Sequence, residues 1–202
     1  MGSAQSGNIY AVGLDLYGQL LQEAVAEAGA EAGQAPAGAN GATAAHVEAL
    51  PRVEVPLPAH LPEDYIPHLP SRLAVYQRLA KLRKRSEVPE LRAELRDRFG
   101  PLPTEVENLL EVVDLRALAG SVGIDSVVYS GDAITMGLRH PVGGARAAVQ
   151  RALGPSVSVG NQQLHLPARQ LGDQWLTRLK RLMERLQVFQ ERLPGARGTT
   201  PL

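Results

Sequence analysis

The chain has 202 residues, 44% of them apolar and only 4% aromatic, with Lys plus Arg and Asp plus Glu at 21 each and no cysteine. That length suits one domain of ordinary size, or one domain with ragged ends, whose core is built mainly from Leu, Val, Ile and Ala. The neutral balance argues against independent binding to nucleic acid, whose non-specific attraction scales with the phosphates neutralised. The missing cysteine excludes disulfides, thiol catalysis and zinc sites with Cys ligands.

No run of about 18 apolar residues occurs, so no membrane-spanning helix is expected. Met1 to Gly7 lacks the basic and apolar regions of a signal peptide, and a cytoplasmic protein is the expectation.

In chain order, the spacing of Val12, Leu16, Leu20, Leu21, Ala24 and Val25 predicts a helix over residues 1–28, from about Val12. Residues 29–51 are rich in Ala and Gly and read as a flexible linker, because small side chains offer little to bury and Gly disfavours a long helix. The body, residues 52–193, opens with Val53-Glu54-Val55-Pro56-Leu57, which alternates as an edge strand would, since Pro cannot donate to a ladder. After a Pro-punctuated stretch, Leu73, Tyr76, Leu79 and Leu82 predict a helix from Ser71. Ser86 is placed to cap a second helix carrying Val88, Leu91 and Leu95, with Gly100 as its stop.

Pro103 suits the first turn of a third helix, which runs to about Ala119 and buries Val106, Leu109, Leu110 and Val113. Ile124–Tyr129 and Ala133–Leu138 flank Ser-Gly-Asp and read as a hairpin. A helix over 144–153 follows, then a second hairpin (156–159 with 163–166) turning through Gly160-Asn161, and a last helix over 170–192. Along that helix, Trp175, Leu179, Leu182, Leu186 and Phe189 form a stripe that reads as core. Residues 194–202 read as a disordered tail. The order of helices, hairpin, helix, hairpin, helix predicts an α+β fold, a two-layer arrangement of antiparallel sheet packed on helices.

Catalytic patterns are missing. There is no phosphate-binding Gly-x-x-x-x-Gly-Lys-Ser/Thr loop, no Gly-x-Ser-x-Gly elbow and no His-Glu-x-x-His helix. His46, His60, His68, His140 and His165 are scattered without the paired spacing of metal ligands. Neither an enzyme nor a cofactor is expected for this chain on its own. The run Lys81, Arg83, Lys84, Arg85 reads as a solvated face, because the aromatic partners of a nucleic-acid patch are absent. Glu94 and Asp97 are three residues apart on the second helix and project from one face. They form an acidic fork able to receive a partner's arginine, while Arg98 lies four residues after Glu94 and can bridge it.

Three stretches resemble the family of bacterial transcription-repair coupling factors (Mfd). Gln5-Ser6-Gly7, then Val12-Gly13-Leu14-Asp15-Leu16-Tyr17 and Leu20-Leu21 before Ala24-Val25, look like the close of the translocation motif that this family shares with the helicase RecG. Leu61-Pro62-Glu63-Asp64-Tyr65-Ile66-Pro67 and Glu94-Leu95-Arg96-Asp97-Arg98-Phe99-Gly100-Pro101 are similar to its C-terminal domain. The resemblance implies that the motor and polymerase-binding domains of an ATP- and Mg-dependent DNA translocase lie N-terminal to Met1. It implies further that this domain packs on the UvrB-like N-terminal module and masks the surface that binds UvrA. Release on engagement with RNA polymerase would expose that surface. It places Glu94, Asp97 and Arg98 at the module contact, and assigns Gln5, Gly7, Asp15 and Tyr17 to coupling motor closure with gripping double-stranded DNA. The expected state is a monomer, and the competing reading is a DNA-binding or motor-coupling segment acting with the helicase domains.

Overall fold

The computed structural model describes residues 50–167, 169 and 172–192. The helix expected in 1–28, nearly all of the 29–51 linker and the 194–202 tail lie outside the described residues.

After β1 (Arg52–Glu54), an irregular stretch leads into three helices, α1 (Leu69–Lys81), α2 (Glu87–Phe99) and α3 (Thr104–Ser121). Pro70 stands in the first turn of α1, where its missing N–H costs nothing. Arg72, Val75, Tyr76 and Leu79 then fall on the buried side. Ser86 precedes α2 as expected, but its backbone is already helical and its hydroxyl makes no cap. The Glu87 carboxylate turns back to the loop before the helix, accepting from the N–H of Lys84 at 3.1 Å. α2 stops at Gly100, whose φ of +88° an L-residue adopts only with strain. Pro103 stands just before α3, not within its first turn.

β2 (Ile124–Tyr129) and β3 (Ala133–Leu138) form the hairpin where it was expected, paired Val127 with Met136 and Tyr129 with Ile134. A one-turn 3-10 segment (Gly143–Ala145) leads into α4 (Arg146–Leu153), then β4 (Ser158–Val159), β5 (Gln163–Pro167) and α5 (Trp175–Glu191). The last helix starts later than 170 because a second 3-10 turn occupies Gly172–Gln174. The sheet order is β1-β2-β3-β5-β4. All pairings are antiparallel except one: β1 lies parallel to β2, with Arg52 opposite Ser126. The sheet is therefore mixed, because three helices intervene between β1 and β2 and form the long crossover that a parallel pair needs. β1 lies at the edge of the sheet as expected, but the strand ends at Glu54, before Pro56.

Two apolar cores share α3. Its first half contributes Val106, Leu109, Leu110 and Val113 to a three-helix core with Leu61, Ile66, Tyr76, Leu79, Leu91 and Leu95. Its second half contributes Leu115, Leu118 and Ala119 to a core between one face of the sheet and α4 and α5. An irregularity between Ile124 and Ser126 lets Ile124 and Val127 both face inward, although they are three residues apart. The stripe on α5 is core as expected, with Leu179, Leu182 and Leu186 buried and Trp175 and Phe189 packed at its edge.

The buried Tyr76 hydroxyl accepts from the Leu61 N–H at 2.8 Å and so holds the irregular stretch onto α1. Tyr76→Phe leaves that buried N–H unpaired, and we expect a loss of about 1–3 kcal/mol, read from urea denaturation with an unchanged slope.

Candidate functional site

The segment Leu61–Ile66 fixes the position of α2. Leu61 and Ile66 are buried. Arg72 donates to the Ile66 carbonyl at 3.0 Å and to Glu63 at 2.9 Å, tying the segment to α1. The Tyr65 hydroxyl donates to the Leu95 carbonyl at 3.0 Å, and its ring meets Phe99 edge-on at 5.9 Å. The end of α2 is thus held from below, and its outer face is presented on a rigid support.

With Val88, Leu91 and Leu95 turned inward, helical geometry places Glu90, Glu94 and Asp97 on the outward side, four and three residues apart. Glu94 and Asp97 therefore share a face, as their spacing predicted, but they are not equivalent. Glu94 accepts from Arg78 of α1 and, at 3.0 Å, from Arg98. Arg78 first and Arg98 second hold its carboxyl below the ordinary range, against the opposing effect of burial. Arg98 does bridge Glu94, and its guanidinium also lies 4.9 Å from the centre of the Phe99 ring. Asp97 and Glu90 are exposed and make no ion pair among the described residues. The surface is a row of two open carboxylates around one already neutralised by its own arginines. Glu90 and Arg78 were not singled out from the sequence. The spacing 90, 94, 97 could have revealed Glu90, whereas nothing local links Arg78 to a residue 16 positions away.

Beside this face, a charged seam binds α3 to its neighbours. Arg92 of α2 meets Glu107 and, at 3.0 Å, Glu111. Lys180 of α5 meets Glu111 at 2.5 Å and Asp114 at 2.6 Å. Arg85 donates to both oxygens of Asp114 at 2.8 and 3.1 Å and to Glu184 at 2.9 Å. Of the basic run, Lys81, Arg83 and Lys84 are exposed as expected, but Arg85 is a structural member of this seam.

Gln5, Gly7, Asp15 and Tyr17 lie outside the described residues. Among the described residues, no group of three or more His, Asp or Glu is placed to hold a metal ion, and no helix is long and apolar enough to cross a membrane.

Comparison with known proteins gives a consistent answer. The TRCF domain family matches residues 55–142. The transcription-repair-coupling factor of Myxococcus xanthus is 37% identical over 163 residues, 76% of this chain and 12% of its own length. That of Escherichia coli is 37% identical over 124 residues, 61% of this chain and 10% of its own length. The Staphylococcus haemolyticus counterpart is 31% identical over 194 residues, 93% of this chain and 16% of its own length. The chain thus spans only a small part of these relatives. A solved structure, the crystal structure of the C-terminal domain of transcription-repair coupling factor, has a TM-score of 0.60 at 22% identity and covers 70% of this chain and 94% of that one. It shares the fold.

Proposed function

We propose that this chain, a member of the TRCF domain family through residues 55–142, is a regulatory protein-interaction domain of a transcription-repair coupling factor and not itself a catalyst. In this reading the whole factor is an ATP- and Mg-dependent DNA translocase that removes stalled RNA polymerase and recruits UvrA in nucleotide excision repair. The domain packs on the UvrB-like module of the same protein and masks the surface that UvrA binds. It acts by occupying that surface, and it biases the closed state only by its own contact free energy. Gln5, Gly7, Asp15 and Tyr17 would belong to the motor's translocation motif.

The observation that carries the reading is the outward row of α2. Arg78 and Arg98 neutralise Glu94 in the middle and leave Asp97 and Glu90 to receive a partner's arginines. Docking arginine on such exposed carboxylates contributes modestly per pair, which suits a contact that must open. Within one protein the tether raises the effective concentration to about millimolar, so a weak interface suffices.

The test is a titration of this chain against the separately expressed UvrB-like module. Binding should saturate, and Glu94→Arg with Asp97→Arg should weaken it at least tenfold, about 1.4 kcal/mol. Between neutral variants, Asp97→Asn should cost more affinity than Glu94→Gln, because Glu94 already spends its charge on Arg78 and Arg98. Binding that ignores the reversal would keep the role but remove this surface from it. No binding at millimolar protein would remove the partner.

A further inference from the structure

The outer face of α5 carries a second surface, opposite in sign to that of α2. Arg181, Arg185, Val188 and Arg192 recur at steps of four, three and four, so they form one stripe along the helix. With Ala152 of α4 they line a cleft of about 540 Å³. Val188 is 45% exposed, the one large apolar side chain left open among the described residues. Phe189, next in the chain, lines both this cleft and a second pocket of about 240 Å³. The buried Val149 of α4, Leu164 of β5 and Leu186 of α5 line that pocket as well. A cavity of about 150 Å³ already admits a benzene ring, so a leucine or phenylalanine side chain fits here.

The arginines of the stripe are not spent on carboxylates. Arg181 and Arg192 are exposed and make no ion pair among the described residues. Arg185 donates to the Ala152 carbonyl, which stands at the end of α4 and has no partner within its own helix. That bond ties α4 to α5 and leaves the guanidinium charge uncancelled. Glu184, at the same cleft, is held by Arg85. Glu191 accepts from Gln187 at 3.3 Å and lines neither cavity. The groove is an apolar floor under a positive rim.

Charge and shape together select the occupant. A phosphate backbone would meet the rim, but it has no group to fill the apolar pocket. Nucleic-acid bases need an open aromatic platform, and Phe189, the aromatic residue at these cavities, packs against the core. Arg181 and Arg192 are three turns apart, about 16 Å along the helix axis. An amphipathic helix lying in the groove meets them with carboxylates at the same separation and large apolar side chains between. Arginine suits that pairing, because its planar fork donates two parallel N–H groups to one carboxylate.

We propose that the groove between α4 and α5 is a docking site for an acidic amphipathic helix of a partner protein. One large apolar side chain of that helix fills the pocket beside Phe189, and another covers Val188 and Ala152. Its carboxylates meet Arg181 and Arg192. The site uses a different helix from the α2 row and does not rest on the reading above. Because the two surfaces differ in sign, they select different partners.

The probe is a fluorescein-labelled synthetic peptide as long as α5, with leucines at alternating steps of three and four and glutamates three turns apart beside them. In fluorescence anisotropy, the full chain should bind it at least tenfold more tightly than a peptide of the same composition in permuted order. Arg181→Gln with Arg192→Gln should remove that difference, and so should Val188→Glu. All three side chains are exposed, and an unchanged far-UV circular dichroism separates a lost contact from a lost fold. The reversal Glu94→Arg with Asp97→Arg should leave the difference in place. Equal binding of the two peptides overturns the proposal, as does binding that survives both sets of substitutions on α5. A short DNA duplex that binds more tightly than the peptide, and is released by Arg181→Gln with Arg192→Gln, overturns it and makes the face a nucleic-acid site. Self-association in sedimentation that Val188→Glu abolishes also overturns it and makes a second copy the occupant.

Discussion

Asp114→Asn should lower the unfolding free energy at neutral pH by about 2 kcal/mol. Breaking a fully buried ion pair by removing one partner costs about 3–5 kcal/mol, whereas exposed pairs contribute under about 1 kcal/mol. The side chains of Asp114 and Lys180 are 15% and 13% exposed, and Arg85 is more open at 38%, so an intermediate loss is expected. The carboxylate joins Arg85, from the loop after α1, to Lys180 of α5. Without it Lys180 retains Glu111 and Arg85 retains Glu184, so the seam loosens but does not vanish. Burial pushes the Asp114 carboxyl up, but hydrogen bonds from Arg85 and Lys180 outweigh it and hold the group below its ordinary value of 3.8. A depressed folded-state pKa gives stability that is fully present above the unfolded value and is lost as pH falls through the folded one. The gap between the parent chain and Asp114→Asn should therefore be constant from neutral pH down to about 5, and should close at more acid pH. Urea denaturation across that range measures it. A gap that persists unchanged well below the ordinary Asp range would show that the residue acts by packing alone.

Much of the architecture is legible in the sequence because it rests on local rules. The β2–β3 hairpin follows from alternation around a Gly-containing turn, and the inward rows of α1 and α3 follow from 3.6-residue spacing. What is not legible depends on pairs far apart in the chain. The parallel pairing of Arg52 with Ser126 leaves no trace in either strand. Arg85 stands in a run that looks solvated, yet it reaches Glu184, 99 residues away. The candidate surface divides in the same way. The shared face of Glu94 and Asp97 and the bridge from Arg98 are consequences of helical spacing. The neutralisation of Glu94 by Arg78 requires α1 to lie beside α2, and it changes which carboxylate is open. The Leu61–Ile66 segment that carries the family resemblance does so for a physical reason. Tyr76 holds it onto α1, and Tyr65 reaches from it to the end of α2.

Leu110→Ala and Leu118→Ala should be the most damaging single changes, at about 2–5 kcal/mol each. Both side chains are fully buried on α3, Leu110 in the three-helix core and Leu118 in the core under the sheet. The informative quantity is what each change does to the other core. α3 is one uninterrupted helix of 18 residues, and the seam of Arg92, Glu111, Asp114, Lys180 and Arg85 ties its neighbours together on both sides. A cavity at Leu110 should therefore destabilise both cores as one cooperative unit. The sole tryptophan, Trp175, packs against the core under the sheet and stacks at a tilt with Tyr129, ring centres 5.8 Å apart. Its fluorescence reports on that side, while far-UV circular dichroism follows all the helices. In Leu110→Ala the two signals should move to lower urea together and remain superimposed. A Trp175 transition left in place while the dichroism shifts would mean that the three-helix core unfolds alone. In that case the outward row of α2 could be lost without unfolding the sheet, and the binding surface would have a stability separate from that of its support.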